Sequence, residues 1–239
     1  LKNLSTEIIS LEEKMISIAR KMYVNAVSLP MRSCLYRALL MAAAIAQDYE
    51  EHEKALKYYN EAIISIENLL VDFPNDELRL ALSIACYGCA LIESEFGKKT
   101  NAADYFKRAV QQAKTIKLKT LSSDSQLSIA QVYYDFADFL DKEKNHNSAS
   151  TYYDRSHSIA MHLLNQKKVQ IDAGLIAIRC DVIQGARATN NKNIKEAVRR
   201  FKQGNETCDQ ILRVAPSQDD IEDLQRMKNY ILEQLEKWT

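Results

Sequence analysis

The chain has 239 residues, in which 32 basic side chains balance 32 acidic ones and only five glycines and three prolines punctuate the length. The neutral balance excludes the broad electrostatic attraction that drives nonspecific binding to nucleic acid or to an anionic membrane. Scarce Gly and Pro, with abundant Ala, Leu, Ile, Glu, Lys and Gln, exclude a turn-rich sheet protein and favour long helices with essentially no sheet.

The predicted elements follow from apolar periodicity and breakers. A first helix over 6–27 forms half of a hairpin, and Ser28-Leu29-Pro30 breaks it. Helices then pair as 32–48 with 51–72, 76–96 with 100–117, 123–142 with 146–165, and 168–189 with 193–213. Phe96-Gly97-Lys98-Lys99 suits a helix C-terminus with Gly in the left-handed conformation, and Asn190-Asn191-Lys192-Asn193 plays the same part later. The last segment, 217–238, opens with Ser217, Asp219 and Asp220, a good cap with favourable dipole charges. It carries Ile221, Leu224, Ile231, Leu235 and Trp238 along one stripe, as a helix covering the end of a stack would. The expectation is one domain over 1–239, comprising a half repeat 6–27, hairpins 32–72, 76–117, 123–165 and 168–213, and a capping helix 217–238.

One pattern recurs five times: Ala, an aromatic four residues on, and a small residue three beyond that. It occurs at Ala19/Tyr23/Ala26, Ala55/Tyr59/Ala62, Ala102/Phe106/Ala109, Ala149/Tyr153/Ser156 and Ala197/Phe201/Gly204. The first positions are separated by 36, 47, 47 and 48 residues. Positions i, i+4 and i+7 share one helical face, where small residues admit a close neighbour and the aromatic fills the gap beside it. The seam resembles the second helix of the tetratricopeptide repeat (TPR). Counting back to the position where that family carries Gly or Ala in its first helix gives Ala43, Ala90, Ala137 and Gly185, all small.

The departures are a spacing of 47 or 48 residues where the family has about thirty-four, the absence of the first-helix Trp, and a late Pro. Pro74 and Pro216 end two of the second helices in matching fashion, so each hairpin is lengthened by one to two turns. Ser125-Gln126-Leu127-Ser128-Ile129-Ala130-Gln131-Val132-Tyr133-Tyr134-Asp135 also resembles a helix of the kinesin-binding protein family, over that segment only. The resemblance implies an all-α, TPR-like right-handed α-solenoid of antiparallel helical hairpins, closed by the C-terminal helix.

It also implies a concave groove lined by the first helix of each hairpin. Carried over, the lining positions are Arg37, Leu40, Ala44 and Gln47; Ile84, Tyr87, Leu91 and Ser94; Gln131, Tyr134, Asp138 and Asp141; and Arg179, Val182, Ala186 and Thr189. The candidate peptide-binding set is Arg37, Leu40, Tyr87, Leu91, Gln131, Tyr134, Asp138, Asp141 and Arg179. The Lys and Asn with which chaperone-binding members clamp a terminal carboxylate are missing. Aromatic area beside Asp138 and Asp141 suits a basic or amphipathic helical segment.

Catalysis is not expected. There is no Gly-rich phosphate loop, no Gly-x-Ser-x-Gly elbow and no His-Glu-x-x-His. His52, His146, His157 and His162 read as solvated surface. Cys86-Tyr87-Gly88-Cys89 lies inside a predicted helix without a second pair at zinc spacing, so its thiols read as packing, with no metal and no cofactor implied. Lys192, Lys195, Arg199, Arg200 and Lys202, with Lys114, Lys117 and Lys119, read as solvated convex surface rather than a nucleic-acid site.

The five cysteines are an odd number in apolar stretches, the pattern of reduced thiols in cytosol or nucleus. No apolar stretch is expected to approach the length of about twenty residues that spans a bilayer, and a start at Leu1 without a signal-peptide layout suggests a processed form or a piece of a longer protein. The reading is an intracellular adaptor that holds another protein in its groove, with no membrane partner. The alternative is a regulatory helical subunit acting through its convex face or terminal helix, by self-association or by clamping a larger complex.

Overall fold

A computed structural model describes residues 2–24, 29–166, 171–214 and 217–238. Among these residues the regular elements are all helical: α1 (Lys2–Val24), α2 (Leu29–Asp48), α3 (His52–Asp72), α4 (Asp76–Glu95), α5 (Lys99–Thr115), α6 (Ser123–Lys142), α7 (His146–Asn165), α8 (Ile171–Asn190), α9 (Ile194–Leu212) and α10 (Gln218–Glu236). A single 3-10 turn, Leu118–Thr120, precedes α6 and was not foreseen.

Local chemistry sets the helix ends. Asn75, Ser122, Asn145, Asn193 and Ser217 each occupy an N-cap and accept a hydrogen bond from the backbone N–H three residues on. At Ser217 the bond is reciprocal, because the Asp220 carboxylate accepts from the Ser217 N–H at 3.1 Å.

The turns inside the hairpins share one geometry. Each places one residue at positive φ: Glu50 (59°), Gly97 (69°), Lys144 (62°) and Lys192 (58°). Those positions are 47, 47 and 48 residues apart, the period of the last four seams. At each, the following N–H reaches back five residues, from Glu51 to the Ala46 carbonyl at 2.8 Å, Lys98 to Glu93 at 2.9 Å, Asn145 to Leu140 at 2.8 Å and Asn193 to Ala188 at 2.8 Å. These bonds satisfy carbonyls that the helix end leaves without partners. Only one of the four turns uses Gly.

Two expectations need correction. Pro30 does not separate the first two helices; it is the second residue of α2, where its missing N–H leaves no intrahelical bond unmade. And α2 is long and apolar enough, with mean hydropathy 1.2, to pass as a membrane span by composition. Its apolar character goes into packing between α1 and α3, with Leu39, Ala42 and Ala43 fully buried. Ala26, residues 168–170, Ala215 and Pro216, on which parts of the sequence reading fall, lie outside the described residues.

The chain forms two compact units, Leu1–Lys117 and Leu118–Thr239. In the first, α1 packs on α2, α2 pairs with α3, α3 receives α4, and α4 pairs with α5. In the second, α6 pairs with α7, α7 receives α8, α8 pairs with α9, and α10 packs on α9 while touching α8.

The seams are the cores of these pairs. Tyr59, Phe106, Tyr153 and Phe201 are buried, as are the small residues beside them, whereas Tyr23 of the first seam is half-buried. Ala43, Ala90 and Ala137 have no exposed surface, and Gly185 is so close to its partner helix that a Cβ would meet the Phe201 ring at 3.0 Å. Gly88 is tighter still: a Cβ there would lie 2.3 Å from the Tyr59 ring.

Buried serines clip helix pairs at matching places. Ser83 Oγ on α4 donates to the Ala109 carbonyl on α5 at 2.9 Å, and Ser156 Oγ on α7 donates to the Ala130 carbonyl on α6 at 2.7 Å. The four residues stand at the same two repeat positions, with the donor moved from the first helix to the second.

Two outcomes are expected. In urea titrations, Glu50→Gly, Lys144→Gly and Lys192→Gly each stabilise by up to about 1 kcal/mol, because Gly removes the left-handed penalty of an L side chain, while Gly97→Ala costs a similar amount. Loss of stability in all three Gly variants would contradict the turn geometry. Among the seam tyrosines, Tyr59 donates its hydroxyl to Gln47 Oε1 at 3.1 Å, but the buried Tyr153 hydroxyl has no hydrogen-bond partner among the described residues. Tyr59→Phe should therefore cost about 1 kcal/mol and Tyr153→Phe nothing, or raise stability.

Candidate functional site

In the first unit, Arg37 and Leu40 stand on α2, and Tyr87 and Leu91 on α4. Arg37 is exposed; its guanidinium pairs with Glu77 in the first turn of α4 and donates to Tyr36 Oη at 3.4 Å. Leu40, Tyr87 and Leu91 are half-buried, and the Tyr87 ring meets the seam ring of Phe106 at 6.4 Å between centroids. These residues thus serve helix packing as well as surface.

In the second unit the structure brings Tyr134 and Arg179 together. With Val182, Ile183, Arg226, Met227 and Tyr230 they line a depression of about 500 Å³. Tyr134 comes from α6, the next three from α8 and the last three from α10. A second depression of about 490 Å³ continues from Val182 and Ile183 along α8 through Ala186, Arg187, Asn190 and Asn191, with Asp141 and His146 on its far wall. Together they form a trough with α8 as its floor, a size within the usual range of ligand sites. Of the residues carried over by resemblance, Tyr134, Asp141, Arg179, Val182 and Ala186 line it. Gln131 and Asp138 do not.

Sequence reasoning missed Ile183, Arg226, Met227 and Tyr230. Met227 and Tyr230 lie three apart on α10, a signal that stands off the stripe of Ile221, Leu224, Ile231, Leu235 and Trp238.

The electrostatics differ from the aspartate-rich surface expected. Asp138 pairs with Lys142 at 2.7 Å and Asp135 accepts from Gln131 Nε2 at 2.6 Å. Asp141 pairs with Arg187 at 2.6 Å and also with His146. Partial burial would raise the Asp141 pKa, but the Arg187 and His146 bonds outweigh it and hold the carboxyl below its ordinary value. Arg226 pairs only with Asp223, its exposed neighbour one turn earlier, at 3.3 Å. Arg179 is exposed and has no carboxylate within ion-pair distance among the described residues. Burial pushes the Tyr134 hydroxyl up to about 12, so it is a neutral donor at physiological pH.

Two side chains assigned to the solvated surface are elsewhere. His157 is buried against Asp181, with Nε2 and Oδ2 3.1 Å apart. Asp181 on α8 has no exposed surface, and Arg200 on α9 reaches it at 3.4 Å while also pairing with Asp154 on α7 at 2.6 Å and Glu196 at 2.9 Å. Arg200 therefore pins α7, α8 and α9 together instead of joining a basic outer face. A buried carboxylate persists only when its charge and lone pairs are met, which this set of partners does. Hydrogen bonds from Arg199, then Arg200, lower the Glu196 carboxyl to about 2. His52 is half-buried with its ring edge against Phe96, at 5.3 Å between centroids, and His146 and His162 are exposed.

Cys86 and Cys89 have no exposed surface, and burial raises their thiols to about 11 and about 12. They pack inside α4 beside Gly88.

Antiparallel hairpins joined by small-aromatic-small seams, with ligand-sized concavity on the first-helix side, define a helical-repeat protein of TPR-like fold. Solved structures agree. BtubC (BKLC) from P. vanneervenii superimposes with a TM-score of 0.62 at 12% identity, covering 98% of this chain and 90% of that one. The yeast histone chaperone Hif1, described as a scaffold protein recruiting protein complexes to core histones, superimposes with a TM-score of 0.58 at 12% identity, over 86% of this chain and 95% of its own. No protein-family profile and no curated protein matches the sequence.

The burial pattern makes a thiol prediction. Cys34 is half-buried, whereas Cys86, Cys89, Cys180 and Cys208 are buried. A thiol reagent at pH 8 should label Cys34 first and the other four only as fast as the helices open. Labelling of Cys86 or Cys89 at the Cys34 rate in the native chain would reject the packing role.

Proposed function

We propose that the chain is a protein-binding scaffold that seats a segment of a partner protein in the trough formed by α6, α8 and α10. The observation that carries this reading is the depression lined by Tyr134, Val182, Ile183, Met227 and Tyr230, apolar area on three separate helices converging on one ligand-sized space. At that space Tyr134 keeps its proton, and Asp141 farther along the trough is tied to Arg187. Binding without catalysis fits the protein-interaction roles of helical-repeat proteins. An intracellular setting suits the reduced thiols. The likeness of Ser125–Asp135 to a kinesin-binding helix adds only that this stretch is helical.

The terminal helix was the basis of the rival reading. It supplies Arg226, Met227 and Tyr230 to the same trough, so part of it belongs to the proposed site instead of competing with it. Self-association keeps one specific observation, the exposed Leu232 (39%) on α10 and Trp238 (41%) just past its end, and sedimentation velocity across concentration reads it directly.

The test uses random peptides of about 15 residues displayed on phage and selected against the full chain. Val182→Ser with Tyr230→Ala should weaken the selected peptides by about tenfold or more, while Lys202→Ala with Gln210→Ala, in a separate hollow on α9, leaves them unchanged. Peptides that ignore the first pair and respond to the second would overturn the reading.

A further inference from the structure

The geometry points to a partner segment that is an amphipathic α-helix of about three turns, carrying carboxylates at the end that meets Arg179 and Arg226. This rests on the trough being the binding site, and it names the occupant.

The conformation follows from what the trough lacks. Its apolar part is lined by side chains of α6, α8 and α10, whose backbone groups are already bonded within their own helices. An extended segment buried there would lose water from its N–H and C=O groups and find few replacements, a penalty repeated for each group left unpaired. A helix satisfies its own backbone and presents only side chains. The dimensions agree. α6 and α10 both contact α8, and packed helices lie about 8–10 Å apart, so a further helix fits laid over α8 against their side chains. The lining of α8 runs from Arg179 to Asn190. At about 1.5 Å per residue that is about 16 Å, the length of three helical turns.

The charge follows from bookkeeping of ion pairs along the walls. Asp138 and Asp141 on α6 are ion-paired, by Lys142 and by Arg187 with His146, and Asp135, which accepts from the neutral Gln131 amide and keeps its charge, stands outside the lining. Among the described residues Arg179 has no carboxylate partner, and Arg226 holds a solvated i,i+3 contact with Asp223, weak and readily exchanged. The charged side chains that line the apolar end are therefore Arg179 and Arg226, both positive. A basic segment, the occupant expected from Asp138 and Asp141 as residue types, would meet two guanidiniums there. An acidic one gains two charge-assisted contacts beside Tyr134, Met227 and Tyr230. The other end, by Asp141, His146 and Arg187, is polar and internally balanced, which gives the bound helix a direction.

The phage selection reads this as composition. Binders should carry Leu, Met or Phe at i, i+3 or i+4, and i+7, be enriched in Asp and Glu at one end, and be poor in Lys and Arg. Synthetic copies are then titrated by fluorescence anisotropy against the full chain and against Arg179→Glu with Arg226→Glu, two exposed substitutions whose folding circular dichroism verifies. Affinity should fall about tenfold or more, and copies with Lys in place of Glu should bind the variant better than the parent. Binders rich in Lys and Arg, or acidic binders indifferent to the charge reversal, would overturn the inference while leaving the scaffold role standing. Binders insensitive to Val182→Ser with Tyr230→Ala would remove the site itself. Binders that show no helical signature by circular dichroism in trifluoroethanol titration, or contain Pro at their centre, would overturn the helical assignment.

Discussion

Two helices can lie against each other along their whole length only if the side chains between them leave room, and this molecule meets that condition by alternating near-nothing with a ring. Ala43, Ala90, Ala137 and Gly185 are as deeply buried as the aromatics Tyr59, Phe106, Tyr153 and Phe201, and Gly185 and Gly88 lie directly against the Phe201 and Tyr59 rings. The approach is close enough that a single added carbon is felt, as the 2.3 Å that would separate a Cβ at position 88 from the Tyr59 ring indicates. The turns must then deliver each second helix at the same rotation and height. A left-handed residue with a five-residue backbone return does so in all four hairpins, whether that residue is Glu, Gly or Lys.

Within each unit, polar groups tie one hairpin to the next. Arg20 reaches Glu61 at 2.6 Å and Arg108 reaches Glu67 at 2.7 Å in the first; Arg187 reaches Asp141 and Arg200 reaches Asp154 in the second. The exposed pairs contribute little singly. The Asp181 cluster is different, because a carboxylate without any exposed surface makes Arg200 and His157 obligatory neighbours. The same pairing that steadies the stack also removes negative charge from the trough, so structural ion pairs decide the sign of the surface offered to a ligand.

α10 has two roles for one reason. A stack of hairpins ends in an open apolar face, and Leu224 and Ile231, both fully buried, close it. A helix placed there occupies the next first-helix position, which necessarily turns Met227 and Tyr230 toward the α8 floor. Covering the end and walling the trough are consequences of the same placement.

The sequence by itself determined the helices, their pairing and the repeat, because these depend on periodicities of three to four residues and on caps and turns that act within a few residues of each other. Small residues at the seam, Ser217 as a cap and Gly97 in its turn were all legible for that reason. It could not show that Pro30 sits inside a helix, that His157 and Arg200 are buried, or that Arg226, Met227 and Tyr230 share a depression with Tyr134. Burial and ion pairing depend on which residues from helices 20 to 90 positions apart meet, and a residue's type is silent about its partner. The charge of the candidate site was misjudged in part on the same account: Lys142 four residues from Asp138 was a pairing the sequence already offered, but only the fold revealed Arg187 beside Asp141.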